Sequence, residues 1–552
     1  MTRVASPTRH VRQQDAATVL KKSQKRKLGA AMSKLKQAQA VQSSAKVQRD
    51  ALDDPSANVM LLFEELRQKA TPLERKQHLI DQVLAQLEPK LGLYARRHDI
   101  SRVVEIALKH GSSEQRSRIW NALEPSLQRL PETRYGRHVV QALFQYATGE
   151  QRRALIAALR ETLVRLAMTQ DGADWVDHVY QTIANGRERT SMLMHMLLER
   201  DRGLHQLLVG SRDQEVRSGD NALDQLLGFV EEPFHQRLVA CCRRQVEQIL
   251  DKPRALSNAL VHDLIWTMLS SSRVPFSEKQ ELGQELATRA LYLYHTNNGS
   301  LALMQMVQLG DAKLRKECAK SFREVLSEVW TNKYGHRVIL TLLAWTDDTV
   351  MLSKTLVRPM IPYFDALFAA AQNSGTPALI YAHVALLFLL AGETTRYFHP
   401  VFYRMVWNPY RSDQEVHRPK KDPQTRREEM LAVIAPALFQ LVHTHGLSLL
   451  CDYRNSPRMG ALCIEVCKHW QQHGETERIR EWFQHILREA PWHASDAHTQ
   501  RQRHEFLHQV LVLSKLFPEQ IFPPLKAHAS QLAELVNTNE RAARLHGALQ
   551  SS

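Results

Sequence analysis

Two stretches far apart in the chain, TRYGRHVVQAL at 133–143 and NKYGHRVILTL at 332–342, set Tyr-Gly and two basic residues in one apolar frame. Arg137 and His138 in the first, and His336 and Arg337 in the second, place a fixed cation beside a ring that can stack. Arg96, Arg97 and Arg102 lie just upstream of the first. A guanidinium offers a fork of donors to phosphate oxygens, and an imidazole offers a stacking face. The chemistry on offer is contact with a phosphate backbone and its bases, with no bond made or broken. The sequence holds no Walker-type loop, no HExxH and no Gly-rich dinucleotide turn. Its histidines, His443 and His445 among them, are scattered over helical sequence. Cys463 and Cys467 lie one helical turn apart near His469, and they read as buried thiols rather than metal ligands. A binding protein is expected, not an enzyme, with no cofactor and no metal.

The elements that must hold these residues show in the spacing. Thirty-six residues separate Asp99 in DISRVVE, Tyr135 in YGRHVVQ and Asp171 in DGADWVD, and the same step separates Asn298 in NGSLALM from Tyr334 in YGHRVIL. A period of this size signals stacked helical units. Within 149–182, Leu155, Leu159, Leu163 and Leu166 fall on one helical face, ahead of a break at Asp171-Gly172. Glycine at that break permits a tight entry that a Cβ would resist. Strand-like alternation is weak. The fold class expected is all-α: a right-handed superhelical solenoid of stacked repeats, curved or L-shaped.

The 552 residues are 43% hydrophobic, enough for several domains or one long solenoid. The formal charge is +15. Residues 1–50 hold twelve bases and two acids, which leaves 61 bases and 56 acids, or +5, for the rest. A body so nearly neutral must bind nucleic acid, if at all, through a local patch. Six cysteines without a CxxC pair fit a reducing compartment. The longest apolar run, 378–392, is shorter than the ~20 residues of a membrane span and is interrupted by His383, so it reads as a buried helix.

The 36-residue period with YGxxVxQ resembles Pumilio (PUF) repeats. SRVVEIALKHGSSEQRSRIWNAL, YGRHVVQALFQYATGEQRRALI and KKDPQTRREEMLAVIAPALFQLV at 420–442 narrow the resemblance to the divergent nucleolar Puf-A branch, with its C-terminal CPL-type region. In that family three side chains of a repeat's second helix meet one base, two on its edge and one by stacking. By that resemblance Ser101, Arg102 and Glu105 match a guanine-reading set. Arg137, His138 and Gln141 match in part, with Arg137 better suited to a phosphate. Ala173, Asp174 and Asp177 suit no base, and neither Ser300, Leu301 and Met304 nor His336, Arg337 and Leu340 can grip an edge with two bonds. The code is mostly broken, and phosphate-dominated, structure-guided RNA binding is what the resemblance implies. Tyr135 and Tyr334 read as packing residues.

The expected layout is a disordered basic tail at 1–55, N-terminal repeats at 56–205, partly degenerate repeats at 206–407, a basic linker or loop at 408–428 and C-terminal helical repeats at 429–552. Residues 209–222 read as a further interruption. In the tail, Lys21, Lys22, Lys25, Arg26 and Lys27 form a nuclear-import cluster, so nucleus and nucleolus are expected, against mitochondrion or cytoplasm. The resemblance implies an assembly factor of the large ribosomal subunit that binds precursor rRNA, as a monomer within a pre-ribosomal particle of RNA and ribosomal proteins and away from membranes. A PUF-type translational regulator of mRNA and a HEAT/armadillo-like protein scaffold are the alternatives.

Overall fold

A computed structural model describes residues 56–198, 221–229, 231–365, 378–407, 417–454, 458–494 and 496–551. The tail with its import cluster, and most of the interruption at 209–222, lie outside the described residues. Every regular element among the described residues is a helix, as the composition predicts. The chain divides into two compact units, Met1–Leu155 and Ile156–Ser552. In the first, helix His98–His110 lies along helix Arg134–Tyr146, with Leu73–Leu87 and Ser113–Leu123 behind them. In the second, helices Ala259–Ser270, Asn297–Leu309 and Gly335–Trp345 stack in sequence order. Leu155, Leu159, Leu163 and Leu166 are all buried.

One local device sets the entry of these helices. Thr133, Thr169 and Thr296 are N-caps whose hydroxyls accept from the backbone N–H of Gly136, Gly172 and Gly299 at 3.0–3.1 Å. Asn332 does the same for Gly335. A cap oxygen here satisfies an N–H that the helix leaves unpaired. Each glycine is pressed on a carbonyl six residues upstream. A Cβ at Gly136 would sit 2.0 Å from the Leu130 oxygen, and one at Gly299 2.1 Å from that of Leu293. The glycines answer to close approach, since none of the four has positive φ.

A second device closes the helix ends. Arg116, Arg152, Arg189 and Arg315 each donate to the carbonyl eight residues back, that of Leu108, Phe144, Gln181 and Val307, at 2.7–2.8 Å. Lys279 does so to Ser271. Cations here neutralise the carbonyl end of the preceding helix. The place due eight residues after Ala344 is Leu352, and the buried Arg426 reaches the Ala344 carbonyl instead, at 2.7 Å.

That reach corrects the reading of 408–428 as a linker. From residue 417 the segment is docked. Arg315 donates to the His417 carbonyl, and the backbone N–H groups of Lys420 and Lys421 donate to Asp347 at 2.9 and 3.0 Å. Asp422 then caps a helix running Pro423–Cys451, which crosses the expected boundary at 429. Proline at the first helical position and a capping aspartate open that helix; sequence reading took the same Pro and charge for a loop. By length and apolar composition this helix is the one among the described residues that passes for a membrane span. Its Ile434, Leu438, Leu441 and Val442 are buried in the protein, and Trp482 Nε1 donates to the Val442 carbonyl at 3.1 Å. Within helix Ala378–Ala391, residues 382–390 are buried, as the apolar run predicts. All six cysteines are free and buried, and burial pushes the Cys318 thiol up to about 12.

Two tests follow from this packing. Gly136→Ala lowers the urea midpoint by the equivalent of about 3 kcal/mol, because backbone must move. Gly149→Ala, whose Cβ meets nothing within 4 Å, leaves it unchanged or raises it by up to about 1 kcal/mol. His262 is fully buried between Thr296 Oγ1 and the Leu256 and Tyr292 carbonyls. Burial, with His295 alongside, pulls it from 6.5 down to about 3. The unfolded chain therefore takes up a proton below pH 6.5 that the folded chain refuses, and stability present above that pH is lost as pH falls toward 3. The slope is up to about 1.4 kcal/mol per pH unit. Urea midpoints between about pH 7 and 5 lose that slope in His262→Gln.

Candidate nucleic-acid interface

The first two repeats carry the exposed part of the predicted set. Helices His98–His110 and Arg134–Tyr146 run side by side and present Arg97, His98, Arg102, Arg134 and His138 to solvent. Tyr135 meets the His98 ring edge-on at 5.0 Å, so it packs between the repeats as predicted. Arg97 lies 3.6 Å from Asp99 and near the Tyr94 ring. Arg96 is half-buried, and its Nε has no hydrogen-bond partner. Burial pushes the Glu105 carboxyl up, while His138 and Arg102 pull it down, which places all three within electrostatic reach of one another. Gln141 is half-buried on the same helix as His138.

Other predicted residues turn inward. Ser101 is 1% exposed, and its hydroxyl donates to the His98 carbonyl at 3.0 Å. Arg137 Nε donates to the Pro131 carbonyl at 2.9 Å. Ser101 is thus not displayed at the surface as base reading requires, and Arg137 is half-buried with its Nε committed to backbone. Arg134 and His98 were missed by sequence reading, although Arg134 immediately precedes the Tyr-Gly motif and needed only the neighbouring position checked.

In the second unit the matching positions are engaged between repeats. Asp177 accepts from the Ala259 N–H at 2.7 Å, and Asp174 pairs with Arg254 at 3.3 Å. Asp263 accepts from Tyr180 and from Asn298. Arg337 donates to Asn297 Oδ1 at 2.8 Å and lies 5.1 Å from the Tyr334 ring centre. Burial pulls the Arg337 guanidinium down to about 10. His336 stacks on Tyr381 at 5.1 Å and on Phe402 at 6.0 Å. Ser300, Met304 and Leu340 are buried. His336 and Arg337 therefore sit among protein partners, in a different unit from the Arg97–His138 group.

Residues 101–123 and 134–160 match the Pumilio-family RNA binding repeat, and residues 380–511 match the CPL (NUC119) domain. The chain thus carries Pumilio-type repeats and a CPL domain. The CPL match begins well before the boundary expected at 429, because helix Ala378–Ala391 packs on helix Arg458–Gln472 as part of the C-terminal array. Human Pumilio homolog 3 is 23% identical over 396 residues, 71% of this chain and 56% of that protein. Pumilio homology domain family member 6 of Schizosaccharomyces pombe is 28% identical over 393 residues, 70% of this chain and 57% of that protein. The chain thus matches little more than half the length of these curated relatives. The crystal structure of human Puf-A in complex with DNA superposes with a TM-score of 0.69 at 19% identity, covering 90% of this chain and 96% of that one. The likeness is one of fold.

The two kinds of arginine separate in a stability assay. Arg337→Ala removes a half-buried donor from Asn297 and lowers the thermal midpoint by the equivalent of about 1–2 kcal/mol. Arg102→Ala, at an exposed position, shifts it by less than about 0.5 kcal/mol.

Proposed function

We propose that this chain is a low-specificity RNA-binding protein that holds precursor rRNA as a nucleolar assembly factor of the large ribosomal subunit. One observation carries the reading. Arg102, Arg134 and His138 of the first two repeats are exposed at the surface, while the base-reading positions of the later repeats are taken up by bonds between repeats or by apolar side chains. Phosphates suit such a surface, and base edges do not. A complex of the Puf-A relative with DNA supports backbone recognition, which does not depend on a 2′-hydroxyl. The basic tail with Lys21–Lys27 supports a nuclear location.

Arg102→Glu/Arg134→Glu weakens binding to unrelated RNAs by a similar factor, about tenfold each, in fluorescence anisotropy. The log–log salt slope becomes shallower by about 1.5 as two phosphate contacts are lost. In-cell crosslinking with sequencing of the attached RNA then places reads on precursor rRNA of the large subunit. Reads sharing one short motif in mRNA 3′ regions would instead establish a translational regulator, and absence of RNA would leave a protein scaffold.

A further inference from the structure

The CPL stretch holds a cationic cluster that the repeats do not explain. Tyr453 follows the long helix Pro423–Cys451, and His498 and Arg501 stand at the start of helix Ala497–Leu516. The Tyr453 hydroxyl lies 3.1 Å from His498 Nδ1, and the two rings meet edge-on at 5.7 Å. The guanidinium of Arg454 lies 5.8 Å from the phenol ring centre, and that of Arg501 5.9 Å. Both guanidiniums act on the phenol strongly enough to hold its hydroxyl below the ordinary tyrosine range.

The two guanidiniums lack a direct ion pair among the described residues. Among the described residues neither Arg454 nor Arg501 has a carboxylate within ion-pair distance, whereas Arg478, Arg480 and Arg544 elsewhere in the same array each have one. The nearby acids are committed to backbone. Asp496 accepts from the N–H groups of His498 and Thr499 and from the Thr499 hydroxyl. Asp452 Oδ1 accepts from the Arg454 N–H. Arg454, His498 and Arg501 are exposed and Tyr453 half-exposed. Two guanidiniums, a phenol hydroxyl and an imidazole thus converge on one surface point, from the turn after helix Pro423–Cys451 and from the start of helix Ala497–Leu516. Such a set matches the oxygens of a phosphate, with the guanidiniums donating in forks and the phenol adding a third donor.

We propose that Tyr453, Arg454, His498 and Arg501 form a phosphate-binding site through which the CPL domain grips an RNA backbone of its own accord. This rests on the RNA-binding reading above and adds a contact outside the Pumilio repeats.

The test uses the full chain with a fluorescent single-stranded RNA and, separately, inorganic phosphate. Arg454→Gln/Arg501→Gln lowers RNA affinity at least fivefold, and the log–log salt slope falls by about 1.4, the value for two contacts to a single strand. Tyr453→Phe, which keeps the ring and loses the donor, gives a smaller loss of about twofold to threefold. In histidine-labelled protein, inorganic phosphate shifts the His498 ring resonance of the unsubstituted chain and not of the double variant. If the unsubstituted chain binds RNA and the double variant binds equally well, the site is overturned while the function stands. If the chain binds no RNA but phosphate still shifts His498, the functional reading fails and the RNA backbone is excluded as the ligand. If neither ligand registers, both fall.

Discussion

The stacking of this chain depends on a glycine Cα pressed against a carbonyl oxygen six residues upstream. At Gly136, Gly172, Gly299 and Gly335 an added Cβ would come within 2.0–2.5 Å of that oxygen. The contact turns the connector straight into the next helix, and a Thr or Asn cap secures the turn by accepting from the same glycine's N–H. With the entry set, successive second helices lie side by side with a common direction. Without it, the residues after the glycine have no shared face on which to act, because side chains on neighbouring helices align only when the helices do.

Charge is divided by position along the repeat. Arginine in the first turn of a following helix faces the carbonyl end of the helix before it, as with Arg116, Arg152, Arg189 and Arg315. Arginine or histidine near the start of a second helix has two fates. In the first two repeats Arg102, Arg134 and His138 stay in solvent. In the later ones Arg337 and His336 are taken into contacts with Asn297 and with aromatic rings. Counting bases therefore overstates the surface available to a polyanion, and a body of formal charge +5 can still hold a local cationic patch.

Loss of base reading in the second unit has a physical companion. Polar residues at or next to the reading positions form bonds to other repeats: Asn298 to Asp263, Arg337 to Asn297 and, across 82 residues of chain, Asp177 to the Ala259 N–H. Each bond satisfies a group that would otherwise be half-buried and unpaired. The same side chains cannot also bind a base edge without giving up these partners. The repeats trade readout for cohesion, and the surface left for ligands lies in the first two repeats and in the basic cluster beside Tyr453.

The helical class, the 36-residue step, the buried run at 382–390 and the packing role of Tyr135 are legible in the sequence, because each rests on local spacing: a period, a helical face, a capped turn. The Tyr-Gly motif also lies beside the exposed Arg134 and His138 of the first repeats. Residues a turn or less apart cannot show what comes from elsewhere. Even local backbone claims suitable chemistry, since carbonyls three and six residues upstream take the Ser101 hydroxyl and the Arg137 Nε. Arg426 and Asp347, 79 residues apart, turn a stretch rich in Pro and charge into a docked helix start. Tyr453 and Arg501 meet only because helix Ala497–Leu516 packs on helix Pro423–Cys451. The sequence determined which side chains share a helical face. Tertiary structure alone decided which of them keep their charge in water, since a partner across a repeat competes for the same donors that a ligand would use.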